Sequence, residues 1–140
     1  MEFITNSAKE TKKLAAKLIK DFIGAKRKNA LVFGLSGELG AGKTTFIQGL
    51  AKALGVKERI LSPTFVIMKH FNNFYHIDCY RIDKPAELKE LGLEEVLKNP
   101  KNLVMIEWAE KVRKILPKEI IWLEFEHLGE DRRKIILNLI

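Results

Sequence analysis

The sequence predicts one α/β domain built on a mixed parallel and antiparallel central sheet flanked by helices. Three observations carry that expectation. Continuous apolar runs of strand length, such as "ALVFGL" from Ala30 to Leu35, have the pattern of strands covered on both faces. Other apolar segments meet at turn residues and read as hairpins. Helical periodicities separate these groups. At 140 residues, with no internal repeat and no linker-like tract, the chain fits a single domain spanning residues 1–140.

The elements follow in order. "SAKE", Ser7 to Glu10, is a capping box, and Leu14, Leu18, Ile19, Phe22 and Ile23 then recur at helical spacing, so a helix is expected from Ala8 to Ile23 with Gly24 as its stop. The buried strand Ala30 to Leu35 runs straight into a glycine-rich loop. Phe46, Ile47, Leu50, Ala51 and Leu54 mark a second helix, which Gly55 ends. "TFVIMKHF" and "FYHIDCY" flank Asn72-Asn73, a turn pair because asparagine tolerates positive φ, and are expected to run antiparallel. Pro85 opens a short helix through Leu91. "NLVMIEW" is another buried strand, Ala109 to Ile115 a short helix, and the last 21 residues form two strands around Gly129 to Asp131.

Composition narrows the function. Hydrophobic residues make up 46% and charged residues 31%, ordinary for a globular chain, and no apolar run reaches the roughly 18 residues needed to cross a bilayer. The single cysteine, Cys79, makes no internal disulfide, and "MEFITNSAKE" has neither a basic nor an apolar leader region. A cytoplasmic location is expected. The net charge of +7 favours acidic partners, yet the lysines are scattered along solvated faces rather than gathered beside aromatics.

The chemistry centres on "GELGAGKT". Gly37, Glu38, Leu39, Gly40, Ala41, Gly42, Lys43 and Thr44 fit G-x-x-x-x-G-K-[ST], placed between a strand and a helix as that motif requires. With it the domain is expected to be P-loop NTPase-like. Glycine lets successive N–H groups point inward, the following helix offers its positive N-terminal end, and Lys43 adds a point charge near the β- and γ-phosphates. Such a loop works with magnesium, held by the motif hydroxyl, Thr44, and by a carboxylate at the end of a neighbouring strand. Two carboxylates compete. Glu107 follows a four-residue apolar run whose end lies beside the loop if that strand is parallel to the first, and is assigned to magnesium, directly or through water. Asp78 ends "FYHID" and is assigned to the γ-phosphate side, where it orients the attacking water; the alternative is a turn carboxylate or a partner of Arg81.

Weaker signals complete the reading. "SPTF", Ser62 to Phe65, lies where nucleotide switches place a γ-phosphate-sensing threonine, here Thr64, although strand initiation explains the tripeptide equally well. His70, His76 and His127 have no metal-ligand spacing and are read as surface or packing residues. Trp108 on its own reads as core, and Cys79 is too isolated for a nucleophile.

"GELGAGKTTF", "SPTF", "HIDCYR", "ELGLEE" and "MIEWAEK", in this order, resemble the TsaE (YjeE) family of tRNA threonylcarbamoyladenosine biosynthesis ATPases over nearly the whole chain. The resemblance implies a small ATPase using ATP and Mg2+ to assist a TsaB–TsaD complex that attaches a threonylcarbamoyl group to adenosine 37 of tRNAs reading codons that begin with A. The tRNA is then met through that complex, with no membrane and no DNA partner. Carried over, the phosphate loop is Gly37 to Thr45, with Thr45 as its last member; magnesium is held by Thr44 and Glu107; the switch-like segment is Ser62-Pro63-Thr64; Asp78 is tied to hydrolysis and Trp108 lies near the nucleotide. The segment around Asn6 to Thr11 helps hold the base, with no single adenine contact assigned.

Two other readings share the loop. A small-molecule kinase must enclose its acceptor, generally with lid insertions, and the connections here are short. A nucleotide-dependent binding module would show negligible turnover. A GTPase is disfavoured because the chain has no N-K-x-D or T-K-x-D tetrapeptide.

Overall fold

A computed structural model describes residues 1–38, 40–57 and 67–139. The strands are β1 (Glu2–Thr5), β2 (Leu31–Gly37), β3 (Met68–Phe71), β4 (Phe74–Asp78), β5 (Leu103–Glu107), β6 (Ile121–Gly129) and β7 (Arg132–Leu139). The α-helices are α1 (Ala8–Ile23), α2 (Lys43–Ala53), α3 (Ala86–Glu90) and α4 (Leu93–Lys98), and a 3-10 helix covers Ala109–Ile115. All seven strands form one sheet in the order β1-β7-β6-β2-β5-β4-β3. The inner four run parallel, and antiparallel strands close both edges: β7 and β1 on one side, β3 on the other. The expected mixed sheet flanked by helices is what the chain forms.

The central strand shows why its run is apolar throughout. Phe33 and Leu35 point into a core with Ala15, Leu18 and Ile19 of α1 and Phe46, Ile47 and Leu50 of α2. Val32 points to the other face, among Ile77, Leu88, Leu93, Val104, Ile106 and Val112. A strand buried on both faces cannot alternate. On the first face α1 and α2 approach closely because Gly49 has no side chain: a Cβ there would lie 2.5 Å from the Lys12 Cα.

Local signals explain the helix ends. Ser7 Oγ accepts from the Glu10 N–H at 3.1 Å while Glu10 reaches back to the Asn6 N–H at 3.2 Å. The Asn72-Asn73 turn joins β3 to β4 antiparallel, with Asn72 at φ 54°. The last two strands meet at Gly129 and Glu130, both with positive φ.

The structure also differs from expectation in several elements. β2 continues through Gly37, two residues beyond the apolar run, because it pairs with Phe125 on β6 and only glycine fits there: a Cβ would stand 2.4 Å from the Phe125 carbonyl oxygen. β1 was not anticipated; "EFIT" is only four residues, two of them exposed. The short helix from Pro85 ends at Glu90, and Gly92, at φ 87°, starts α4 as a separate helix the pattern did not reveal. Ala109–Ile115 is a 3-10 helix kinked at Val112 rather than an α-helix. The N-terminal part of "TFVIMKHF" and the switch-like segment Ser62-Pro63-Thr64 lie outside the described residues.

Candidate functional site

The loop sits where β2 hands over to α2. Gly42 caps the helix at φ 99°, a conformation that costs other residues energy, and the Ala41 N–H donates to Glu38 O at 3.1 Å to close the turn. α2 is 11 residues long and begins at Lys43, so its first N–H groups and the positive end of its dipole face the loop. Gly37, Glu38, Gly40, Ala41, Gly42, Lys43, Thr44 and Thr45 are thereby gathered at one strand-to-helix junction; Leu39 is outside the described residues.

Lys43 is buried, 5% exposed, at the mouth of the loop. Its Nζ donates to Gly37 O and to Glu38 O and lies 3.7 Å from the centroid of the Trp108 indole. Burial pushes its pKa down, against the pull of Glu107, Glu110 and Asp78. The lysine is held by carbonyls and a ring face, contacts that an arriving phosphate can replace. Trp108 adopts a left-handed backbone conformation, φ 57° and ψ 39°, which turns the chain sharply after β5 and lays the indole beside Lys43 and against Tyr80, with ring centroids 5.2 Å apart. The reading of Trp108 as core holds in part: the half-buried side chain packs against the core under β4 and β5 and also reaches the loop through Lys43.

The carboxylates come from two neighbouring parallel strands. Glu107 ends β5, level with Leu35 on β2 and with Asp78 on β4, so all three stand at the same height beside the loop. Glu107 is 2% exposed. Its Oε1 accepts a hydrogen bond from Thr44 Oγ1 at 3.0 Å and its Oε2 one from His76 Nε2 at 2.6 Å. Asp78 accepts from the Tyr80 N–H at 2.9 Å, and burial pushes its carboxyl pKa up, partly offset by that hydrogen bond. Thr44 and Glu107 offer paired hard oxygens, a donor set that fits magnesium, which takes one or two protein oxygens and fills its shell with water and phosphate. Among the described residues no cluster of three or more His, Cys, Asp or Glu side chains is placed to hold a metal by itself.

Two participants went unread in the sequence. His76, which the sequence leaves as a surface or packing residue, is 2% exposed and bonded to Glu107. Its signal was its position two residues before Asp78, which puts both side chains on one face of β4. Arg133 comes from the far end of the chain: a Cβ on Gly42 would lie 2.9 Å from its Nε. Its Nη1 donates to Glu130 O and Arg132 O, and Arg132 Nε donates to Asn6 Oδ1 at 3.2 Å, so the β6–β7 hairpin brings Arg133 to the loop while Arg132 ties the hairpin to the N-terminal segment. Cys79 is buried, and burial pushes its thiol up to about 12, as an inert side chain requires.

Grooves of about 500 and 730 Å3 open elsewhere, lined by Arg27 with Lys57 and Lys101 or with Lys26 and Lys118. None of the loop residues lines them.

Parallel inner strands with a glycine loop, helix N-terminus and lysine at the end of the central one define the P-loop class of nucleotide-binding proteins. The family model for threonylcarbamoyl adenosine biosynthesis protein TsaE matches residues 5–135. A tRNA threonylcarbamoyladenosine biosynthesis protein TsaE from Bacillus subtilis is 35% identical over 144 residues, covering 100% of this chain and 86% of that protein. Its counterpart from Rickettsia bellii is 40% identical, covering 93% of this chain and 89% of the relative. The crystal structure of Bacillus subtilis YdiB superposes with a TM-score of 0.78 at 33% identity, covering 100% of this chain and 85% of that one. The chain belongs to the TsaE family, whose members serve tRNA threonylcarbamoyladenosine biosynthesis. No helix among the described residues is long and apolar enough to cross a membrane.

Proposed function

We propose that the chain binds ATP with magnesium at Gly37 to Thr45 and hydrolyses it slowly, in support of a TsaB–TsaD complex that threonylcarbamoylates adenosine 37 of tRNAs reading codons that begin with A. The observation that carries this reading is the Thr44–Glu107 hydrogen bond at the loop, with Asp78 level with Glu107 on the next strand.

Each residue then has a task. The loop amides and the α2 N-terminus bind the phosphates, and Lys43 leaves its carbonyl partners and the indole to neutralise the β- and γ-oxygens. Thr44 and Glu107 hold magnesium, which supplies charge neutralisation across the phosphates when bound. Asp78 orients the attacking water, a role suited to a carboxylate whose pKa burial has raised. Trp108 flanks the lysine and the nucleotide, and Thr64 senses the γ-phosphate.

Turnover by the purified chain, alone and with a TsaB–TsaD pair, tests the proposal, with Lys43→Ala as the blank and no small acceptor added. Slow hydrolysis that rises with the pair supports it. Turnover seen only when a small-molecule acceptor is supplied makes the chain a kinase instead. Nucleotide binding without turnover above the blank makes it a binding module.

A further inference from the structure

Glu107 presents its two oxygens to different partners. Oε1 meets Thr44 Oγ1 at 3.0 Å; Oε2 meets His76 Nε2 at 2.6 Å. Both the glutamate and the histidine are 2% exposed, so little water competes for either oxygen. The ring cannot drift away: His76 sits mid-strand on β4, opposite Met105 of β5 and Lys69 of β3. A carboxylate buried this deeply needs hydrogen bonds to both oxygens, and a short bond with an ionised acceptor is among the stronger kinds.

That division has a consequence for metal choice. Magnesium demands near-octahedral geometry at about 2.0–2.1 Å and takes carboxylates through single oxygens, whereas calcium accepts 6–8 ligands at about 2.3–2.6 Å and often takes both oxygens of one carboxylate. With Oε2 engaged by the imidazole, only Oε1, next to the Thr44 hydroxyl, is available to a cation. We propose that His76 is a positioning residue that makes Glu107 a one-oxygen ligand and thereby sets the site's preference for magnesium over calcium. This rests on the reading of Glu107 and Thr44 as the magnesium ligands.

The test measures binding rather than turnover. The full chain is titrated with the non-hydrolysable analogue adenosine 5′-(β,γ-imido)triphosphate in excess magnesium and, separately, in excess calcium, and the ratio of the two dissociation constants is compared between variants. In His76→Leu the second oxygen is released, and calcium-supported binding should tighten until the preference for magnesium falls about tenfold, a change of roughly 1.4 kcal/mol. His76→Gln, whose amide N–H2 reaches about as far as Nε2, should restore the original ratio. Should His76→Leu fail to fold by circular dichroism, His76→Asn keeps a polar group in the strand but is too short to reach Oε2, and is expected to behave like the leucine variant.

A folded His76→Leu or His76→Asn protein with an unchanged ratio overturns the proposal. So does a His76→Gln protein no closer to the original ratio than leucine, which would make the histidine a packing partner only. Glu107→Gln separates this from the site reading. If it leaves the metal dependence of analogue binding intact, the assignment of Glu107 itself fails, and the role of His76 with it. If it abolishes that dependence while the His76 variants keep the ratio, only the His76 inference falls.

Discussion

The two flanks of the phosphate loop are built differently. On the β5–β4 side every group is carried by a buried strand: Glu107, Asp78 and His76 are 2%, 7% and 2% exposed, and register fixes their heights relative to β2. On the β6–β7 side the groups are surface residues of a hairpin tip and of the N-terminal segment, with Arg132 exposed and Arg133 half-buried. Ionisable groups on the first flank carry a desolvation cost and need defined partners, so their geometry is set before any nucleotide arrives. Arg133 on the second flank is only partly buried, and the contacts of an incompletely buried charge are correspondingly weaker. The catalytic burden should fall on the rigid flank and adjustable affinity on the exposed one.

Removing the charge between the flanks should have the largest effect. Lys43→Ala is expected to lower ATP turnover by about 10²–10³-fold, the range seen when one preorganised charge-stabilising donor is lost. A steady-state phosphate-release assay reads it, and a loss under tenfold would mean that Lys43 remains on its carbonyls and indole in the working state.

Within the rigid flank, Asp78→Asn should keep ATP binding while losing most turnover, whereas Thr44→Ala should weaken magnesium-dependent binding itself. Equal loss of binding in both would erase the division of labour. Asp78→Asn carries a second signature. Burial raises the folded-state pKa of Asp78, so its ionisation costs stability, and the native chain is favoured below the unfolded pKa and loses that advantage as pH rises through the folded one. The variant, which cannot ionise, should therefore melt above the native protein at pH 7. That gap should close on acidification through the carboxylate range, as thermal melts at several pH values would record.

Legibility in the sequence follows the same division. Glu107 was readable because a strand-length apolar run ends on it, and burial is what makes such a run apolar; Asp78 was readable as the carboxylate that closes the alternating strand "FYHID", and the loop because its glycines and lysine are contiguous. His76 was missed because a histidine inside an alternating strand has the pattern of any half-buried residue, and only the parallel pairing of β4 with β5 brings its ring to Glu107. Arg133 had no local signal: its neighbour Arg132 bonds to Asn6 across 126 residues of sequence, a closure that the unanticipated β1 makes by pairing with β7. β1 and the α3–α4 break were hidden for a related reason, since four- to six-residue elements contain too few periods to stand out.

The scaffold joining the flanks can be perturbed without touching either. Gly49→Ala would push a methyl group to within 2.5 Å of the Lys12 backbone, between α1 and α2. Overpacking of this kind should lower stability by roughly 1–3 kcal/mol, measured by urea denaturation, with turnover per folded molecule unchanged. A large loss of turnover at full folding would show that the α1–α2 contact positions the loop.

The smallest effect should come from the exposed flank. The guanidinium of Arg133 lies against Gly42, at the positive end of α2, and donates to the Glu130 and Arg132 carbonyls, neutral partners that an anion can outcompete. With the terminal phosphate facing Asp78 and Glu107, as proposed, the rest of the nucleotide can extend across the loop toward β6 and β7, which lie on the other side of β2. Arg133→Ala should then weaken ATP binding by at most about fivefold, in line with the 0–1 kcal/mol of an exposed charge pair, and the difference should shrink at high salt. Its kcat should stay at the native value, because nothing that Arg133 touches carries charge developed in the reaction. Titrations at low and high ionic strength beside saturating turnover separate the two quantities. A fall in kcat comparable to that of Asp78→Asn would place Arg133 among the groups that act on the transferred phosphoryl, and the contrast between a catalytic and an affinity flank would no longer hold.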